Sequence, residues 1–499
     1  MTLIEMLENA IKAHPEKAAI ICRQRSISYS CLGDIVNKAA NALIGFGLKK
    51  GDRVGIMAPR SYELVASFLA TSKAGGIAMP LNFELPASGV RAVIEATAPR
   101  VIFAHGTFIG LLEEAISGIS GISIITFGDN AGDYLKWEDI EKNGRADAPR
   151  VEVKPEDVFY LNYTSGSTGS SKGAVTTHLN VYWNTLSAAD ALGLTRDDVH
   201  ICMFAPFAHP HELFARALFL GGTSVIVNTV YPKSIAEAIT ENKVTCMMGL
   251  APMYENLLEL VEHHKNYDLS SLRVPESGGM FTRQELIERF KNEVGASIVP
   301  VWGSTETTGI ALANRPGSPQ QPGSVGTPCK GYEVKIVDDR NEDTPTGEVG
   351  EMIFRGPAVV KGYFEENENK TASFKDGWYY SGDYAKMDGA GNFYFVERKS
   401  GMMKIAGLKV YPLEIEQVLL DHPGIKEASV VSVKDRLRGE VPKAIIVLKN
   451  GALSPKEIFK FCMEKLPHYK VPRLVEFRET LPKTGSGKTN KKILQMEHA

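Results

Sequence analysis

Up to about residue 330 the apolar pattern of this chain keeps switching between two periods. Helical stretches at 63–73 and 235–241 are each followed by a short apolar run, Ile77-Ala78-Met79 and Val244-Thr245-Cys246-Met247. A helix-period segment leading into a short β-branched run is the mark of a βαβ unit. Its strands pair in parallel and need helices on both faces. The expected class is therefore α/β, with a large N-terminal domain of flanked, mostly parallel sheets. From 325 to 394 the texture changes to short strands broken by Gly, Pro and Asp, such as 332–338. That predicts a small, mainly antiparallel, barrel-like subdomain. After Arg398 comes a compact α+β segment: a helix at 412–421, strands at 428–433 and 443–448, and a helix at 454–465. Lys399-Ser400-Gly401 makes a short polar connection, so the expected domains are 1–398 and 403–499, joined through 399–402.

The 499 residues are 43% hydrophobic and 23% charged, an ordinary globular profile long enough for several cores. A net charge of −3 without long single-sign blocks gives no reason to expect a nucleic-acid partner. No run reaches the ~18 uncharged apolar residues of a membrane span. The stretch 64–81 is interrupted by Lys73 and two glycines. Glu5 and Glu8 among Leu3, Ile4, Leu7 and Ile11 make the N-terminus an amphipathic helix and not a signal peptide. Cys22, Cys31, Cys202, Cys246, Cys329 and Cys462 form neither a C-x-x-C pair nor a zinc spacing, which reads as thiols of a reducing cytoplasm.

One segment carries chemistry on its face. Tyr163-Thr164-Ser165-Gly166-Ser167-Thr168-Gly169-Ser170-Ser171-Lys172-Gly173 follows the apolar run 158–161, which reads as a strand. Its three glycines let backbone approach a ligand closely. Its hydroxyls and Lys172 add donors and a positive charge, so successive N–H groups can converge on a polyphosphate. A Walker A loop is excluded: counting from Gly166, its second glycine would fall on Ser171. A second decoy, Gly487-Lys488-Thr489, fails because the first glycine would fall on Pro482. His209 and His211 suggest a metal pair, but no third ligand is apparent.

The loop resembles the YTSGTTGxPKG segment of the adenylate-forming superfamily, which holds acyl-CoA synthetases, peptide-synthetase adenylation domains and luciferases. Four further segments match in family order. Val301-Trp302-Gly303-Ser304-Thr305-Glu306 is similar to YGxTE, and Tyr380-Ser381-Gly382-Asp383 to YxTGD. Arg398 with Lys404, Gly407, Pro412 and Glu414 is similar to GRxxDxIKxxGxxVxPxEIE, and 482–488 to the terminal PKTxxGK. The resemblance implies a mobile C-terminal domain, with 399–402 as its hinge and Gly401 where the family has an Asp or Lys pivot. It implies that Thr164, Ser165, Gly166, Ser167, Thr168, Gly169 and Lys172 hold the ATP phosphates. Thr164 and Glu306 would bind Mg²⁺, Thr305 would contact the α-phosphate, and Trp302 would stack on adenine. Asp383 would accept the ribose hydroxyls with Arg398 nearby. Lys488 would stabilise the adenylation step, and Gly407 would wall the CoA tunnel.

For the acyl group, the resemblance implies that His209 borders the pocket, with Gly278, Gly279, Met280, Trp183, Gly303 and Gly309 lining it. Gly303 follows the adenine-stacking aromatic, where the family's acetate enzymes carry bulk. That predicts a medium-chain, branched or aromatic acid. Glu212 departs from a family glycine. The segment 204–209 lacks the Asp that amino-acid-activating domains use, and no carrier domain is visible after Lys488. The expected activity is therefore an ATP-dependent acid–CoA ligase using ATP, Mg²⁺ and CoA, in the cytoplasm, with a homodimer left open. The alternatives are a stand-alone adenylation enzyme that delivers to a carrier protein and a non-catalytic nucleotide-binding module.

Overall fold

The computed structural model describes residues 1–130, 132–164, 172–264, 266–364, 373–405, 408–435, 439–449, 451, 453–483 and 489–498. They fall into two compact units, 1–334 with 354–379, and 335–353 with 380–499. The chain passes between them along the strands Glu333–Val337, Gly350–Arg355 and Trp378–Met387. The expected junction at 399–402 lies within the second unit.

The first unit is α/β. A seven-stranded sheet runs in the order Leu135–Lys136, Ser123–Phe127, Val101–His105, Arg53–Met57, Ile77–Pro80, Val158–Thr164, Lys172–Thr177. Its pairs are parallel except the last, an antiparallel hairpin. The helix read at 63–73 is Tyr62–Lys73, capped by Ser61, and all of it except Glu63 is buried. A helix buried on nearly every side in this way belongs inside a protein, and Lys73 at its end pairs with Glu8 at 3.0 Å. No helix among the described residues is long and apolar enough to cross a membrane.

A second, nine-stranded sheet has the order Thr327–Pro328, Gly309–Ala313, Val299–Ser304, Val274–Ser277, Cys246–Gly249, Val199–Cys202, Thr223–Ile226, Ala18–Cys22, Arg25–Ser28. Parallel pairing in the middle gives way to antiparallel hairpins at both edges. The helices Pro232–Asn242, Ala251–His263 and Gln284–Val294 close one core over it, with Tyr254, Leu257 and Phe290 fully buried.

The second unit holds an antiparallel pair, Asp383–Met387 against Phe393–Arg398. It also holds a hairpin of Met403–Ile405 with Leu408–Val410. The C-terminal sheet joins Ile425–Asp435, Gly439–Leu448 and Leu474–Phe477. Helix Pro412–Leu420 and helix Pro455–Lys465 cover it; Ser454 caps the latter through a capping box with Glu457.

Candidate active site

The phosphate-loop candidate springs from the hairpin Val158–Thr164/Lys172–Thr177, whose last pair is Thr164 with Lys172. Ser165, Gly166, Ser167, Thr168 and Gly169 lie outside the described residues, as does the side chain of Thr164. The segment 362–364 lies along the return strand: Ala174 bridges Tyr363, Val175 N–H donates to Gly362 O, and Phe364 N–H donates to Gly173 O at 2.7 Å. This brings the Tyr363 ring under Lys172, whose Nζ is 5.1 Å from the ring centre.

The second motif forms a hairpin. Val299–Ser304 turns through 305–308 and returns as Gly309–Ala313. The turn is tied down from within: Ser304 N–H donates to Thr307 Oγ1 at 2.9 Å and Thr307 Oγ1 donates to Gly309 O at 2.7 Å. Thr308 takes φ +60°, a left-handed conformation that is unusual for a β-branched residue, and its hydroxyl donates to Ala358 O at 2.7 Å. Glu306 sits in this turn, 8% exposed. Tyr363 O–H donates to its Oε1 at 2.7 Å, and Tyr379 O–H donates to its Oε2 at 3.0 Å. Lys172 and Glu306, 134 residues apart (306 − 172), thus meet the same tyrosine. Thr305 beside Glu306 is half-buried. Trp302 lies flat on Phe354, with ring centres 4.4 Å apart and planes 3° apart, so one face of the indole is covered.

The glycines expected around the acyl group have other reasons for being glycine. A β-carbon at Gly303 would stand 2.3 Å from Gly309 O, so the return strand fills that space. Strand pairing by itself accounts for the smallness of Gly303. A β-carbon at Gly309 would come within 2.7 Å of Glu212 Oε1 and 2.8 Å of Asn184 Oδ1. Gly278 is buried against Val301, Gly279 is exposed at φ +73°, and Met280 is half-buried, all in the turn after Val274–Ser277. Trp183, on the helix His178–Leu192, packs on Gly331. His209 is half-buried with its ring 6.1 Å from Phe204. His211 is fully buried and hydrogen-bonded through Nδ1 to Tyr160 at 3.0 Å; burial pushes its pKa down to about 3 and keeps it neutral.

Glu212, the departure from the family glycine, belongs to a buried ionic triad. Arg216 Nε is 3.0 Å from Glu212 Oε2, and Arg216 Nη1 contacts both oxygens of Glu276 at 2.7 and 2.8 Å. Burial opposes the charge on Arg216, but the two carboxylates outweigh it and hold its pKa above the ordinary value. Burial pushes the Glu276 carboxyl up, with Arg216 pulling against it. Spacing alone could have exposed two of the three members of this triad, since Glu212 and Arg216 are four apart. Nothing local points to Glu276, Tyr363 or Tyr379.

In the second unit, Asp383 pairs with Arg398 across the strands, and Arg398 Nε lies 2.8 Å from Asp383 Oδ1. Asp383 is 1% exposed, while the Arg398 side chain is largely in solvent. Gly382 N–H donates to Glu351 at 3.0 Å, and Ser381 Oγ donates to Met352 O at 2.7 Å, which fixes the Ser-Gly-Asp stretch within the strand Trp378–Met387. Gly407 lies outside the described residues, between the strands Met403–Ile405 and Leu408–Val410. Lys488 is also outside them; Lys483 and Thr489, the described residues on either side in sequence, form an antiparallel bridge. Glu397 accepts from Leu413 N–H at 3.0 Å, and Lys491 pairs with Glu416 at 2.8 Å. All six cysteines are free thiols.

An α/β unit with this hairpin-borne carboxylate, followed by a small α+β segment, defines an adenylate-forming enzyme of the acyl-CoA synthetase branch, an AMP-forming acid–thiol ligase. The chain belongs to the AMP-binding enzyme family: the family model matches residues 7–364, and the model of the AMP-binding enzyme C-terminal domain matches 414–488. A feruloyl-CoA synthase of Amycolatopsis sp is 32% identical over 480 residues, covering 95% of this chain and 94% of the relative. The crystal structure of the anthranilate CoA ligase AuaEII with anthranoyl-AMP superposes with a TM-score of 0.92 at 28% identity, covering 100% of this chain and 97% of that one. ATP-bound MatB from Rhodopseudomonas palustris gives 0.91 at 26% identity, covering 100% and 99%.

Proposed function

We propose that this chain ligates a carboxylic acid to CoA in two half-reactions. First a carboxylate oxygen attacks the α-phosphorus of ATP, the bond to the β-phosphate oxygen breaks, and pyrophosphate leaves. Then the CoA sulfur attacks the acyl carbon and AMP departs with the bonding pair of the acyl–oxygen bond. A bare carboxylate is a poor acyl donor, and adenylation supplies the leaving group. Such a displacement asks for charge neutralisation more than for a general base.

The observation that carries this reading is the meeting of Lys172 and Glu306 at Tyr363. It joins a cation beside the phosphate loop to a buried carboxylate. Glu306 suits Mg²⁺: the tyrosines occupy one lone pair on each oxygen and leave the others. No group of three or more His, Cys, Asp or Glu is gathered for a metal among the described residues. A cation at Glu306 would therefore complete its shell with phosphate oxygens and water, which is the habit of Mg²⁺. Bound there, it would neutralise charge on the triphosphate.

The assigned roles are as follows. Thr164, Ser165, Gly166, Ser167, Thr168, Gly169 and Lys172 cradle the phosphates, and Thr305 meets the α-phosphate. Trp302 offers a face to adenine, and Asp383 with Arg398 holds the ribose. Lys488 neutralises charge as pyrophosphate leaves. Rotation about 399–402 would exchange Lys488 for Gly407 between the two steps. The substrate is a medium-chain, branched or aromatic acid bordered by His209. The ferulate and anthranilate ligases among the relatives favour an aromatic one. The test is ATP–pyrophosphate exchange without CoA. Carboxylic acids should drive it and α-amino acids should not; exchange driven by amino acids alone would overturn the reading in favour of an adenylation domain.

A further inference from the structure

We infer that Tyr363 and Tyr379 are positioning residues that hold the Glu306 carboxylate in the orientation needed to bind the metal–nucleotide complex. This rests on the reading of Glu306 given above. Each tyrosine takes a different oxygen, Tyr363 O–H on Oε1 at 2.7 Å and Tyr379 O–H on Oε2 at 3.0 Å. One donor would leave a carboxylate free to swing about its last torsion. Two donors on opposite oxygens fix its plane, and each spends only one of the two lone pairs.

The tyrosines are themselves held, from separate parts of the sequence. Tyr363 is bridged to Ala174 on the strand leaving the phosphate loop, so its hydroxyl reports the position of that strand to Glu306. Tyr379 is 5% exposed, and its ring lies 5.3 Å from Phe374 and 6.5 Å from Phe354. Phe354 in turn stacks on Trp302, four residues before Glu306 on the same hairpin. Glu306 is also pinned through its backbone, where Val360 N–H donates to its carbonyl at 2.9 Å. A buried carboxylate so thoroughly oriented, in a turn with a left-handed Thr308, is arranged for a ligand and not for packing.

The test compares Tyr363→Phe, Tyr379→Phe, the double variant and Glu306→Gln with the parent protein. Phenylalanine keeps the ring contacts and removes only the hydroxyl. The first readout is binding of Mn²⁺ in the presence of a non-hydrolysable ATP analogue, followed by electron paramagnetic resonance. The second is the Mg²⁺ concentration that half-saturates ATP–pyrophosphate exchange. Removing an outer partner of a metal ligand weakens metal affinity by roughly 10–100-fold, and each single variant should fall in that range with unchanged urea midpoints. In the two tyrosine variants, thioester formation from preformed acyl-AMP and CoA should stay at the parental rate, because no triphosphate is bound in that step. Parental Mn²⁺ affinity in Tyr363→Phe would overturn the inference, and that half-buried position decides the matter even if Tyr379→Phe does not fold. Parental affinity in Glu306→Gln would instead overturn the metal reading of Glu306 itself.

Discussion

Replacing Gly303 with alanine separates two accounts of that residue. The sequence alone makes it a window onto the acyl pocket, so that adding bulk should shift preference toward small acids. In the structure the added β-carbon would sit 2.3 Å from Gly309 O and 2.6 Å from Gly309 C, where real β-carbons keep at least 3.0 Å. The return strand would have to retreat by at least 0.7 Å (3.0 − 2.3). It cannot do so alone, because Gly309 packs against Glu212 and Asn184, and Thr307 Oγ1 donates to Gly309 O. Overpacking of this kind costs roughly 1–3 kcal/mol, and here the displaced element is the hairpin that carries Trp302 and Glu306. Gly303→Ala should therefore lower urea stability by about 2 kcal/mol and raise the KM for ATP. The ratio of kcat/KM between a long and a short acid should stay as in the parent. A variant with parental stability and a preference moved toward acetate or propionate would refute this reasoning and show that Gly303 faces open acyl space.

Three further outcomes are expected. Arg216→Met leaves Glu212 and Glu276 buried without their cation and should cost about 3–5 kcal/mol in urea unfolding, whereas replacing all three by apolar residues should recover most of that loss; equal stability of Arg216→Met and parent would contradict the triad. Burial lowers His178 and His211 from 6.5 to about 3 and His200 to about 4. The folded pKa values lie below the unfolded one, so the stability they permit is fully present above about pH 6.5 and is lost as pH falls toward 4, by about 1.4 kcal/mol per pH unit for each histidine. A flat urea midpoint from pH 7 to 5 would contradict their neutral burial. Lys488→Ala should slow adenylation by roughly 10²–10³-fold while thioester formation from preformed acyl-AMP stays near normal, and a bulky residue at Gly407 should do the reverse. Equal loss of both steps in either variant would remove the alternating roles.

The alternation that opens the sequence carries most of the fold because it is local. The helix read at 63–73 is Tyr62–Lys73, that at 235–241 is Pro232–Asn242, and the strands read at 428–433 and 443–448 lie inside Ile425–Asp435 and Gly439–Leu448. The motif order likewise points to the hairpin that bears Glu306. What stayed hidden depends on residues far apart in the chain. Gly303 looks like a pocket glycine until the register opposite Ile310 is known. Tyr363 and Tyr379 sit 57 and 73 residues from the carboxylate they hold, with no spacing rule to announce them. The same is true of Glu276, which reaches Arg216 only because Val274–Ser277 lies deep in the nine-stranded sheet. The two compact units follow contacts more than sequence order: 380–398 is continuous with what precedes it, and Asp383–Met387 and Phe393–Arg398 fall in the second unit.

The most direct test of the account is the product balance with ATP, Mg²⁺, CoA and a panel of aromatic, branched and medium-chain acids. Quantifying nucleotides and thioesters by chromatography and mass spectrometry should give AMP, pyrophosphate and acyl-CoA in equal amounts for at least one acid, with acyl-AMP accumulating when CoA is left out. Formation of ADP and phosphate, or acyl-AMP that never passes to CoA, would contradict an AMP-forming acid–CoA ligase.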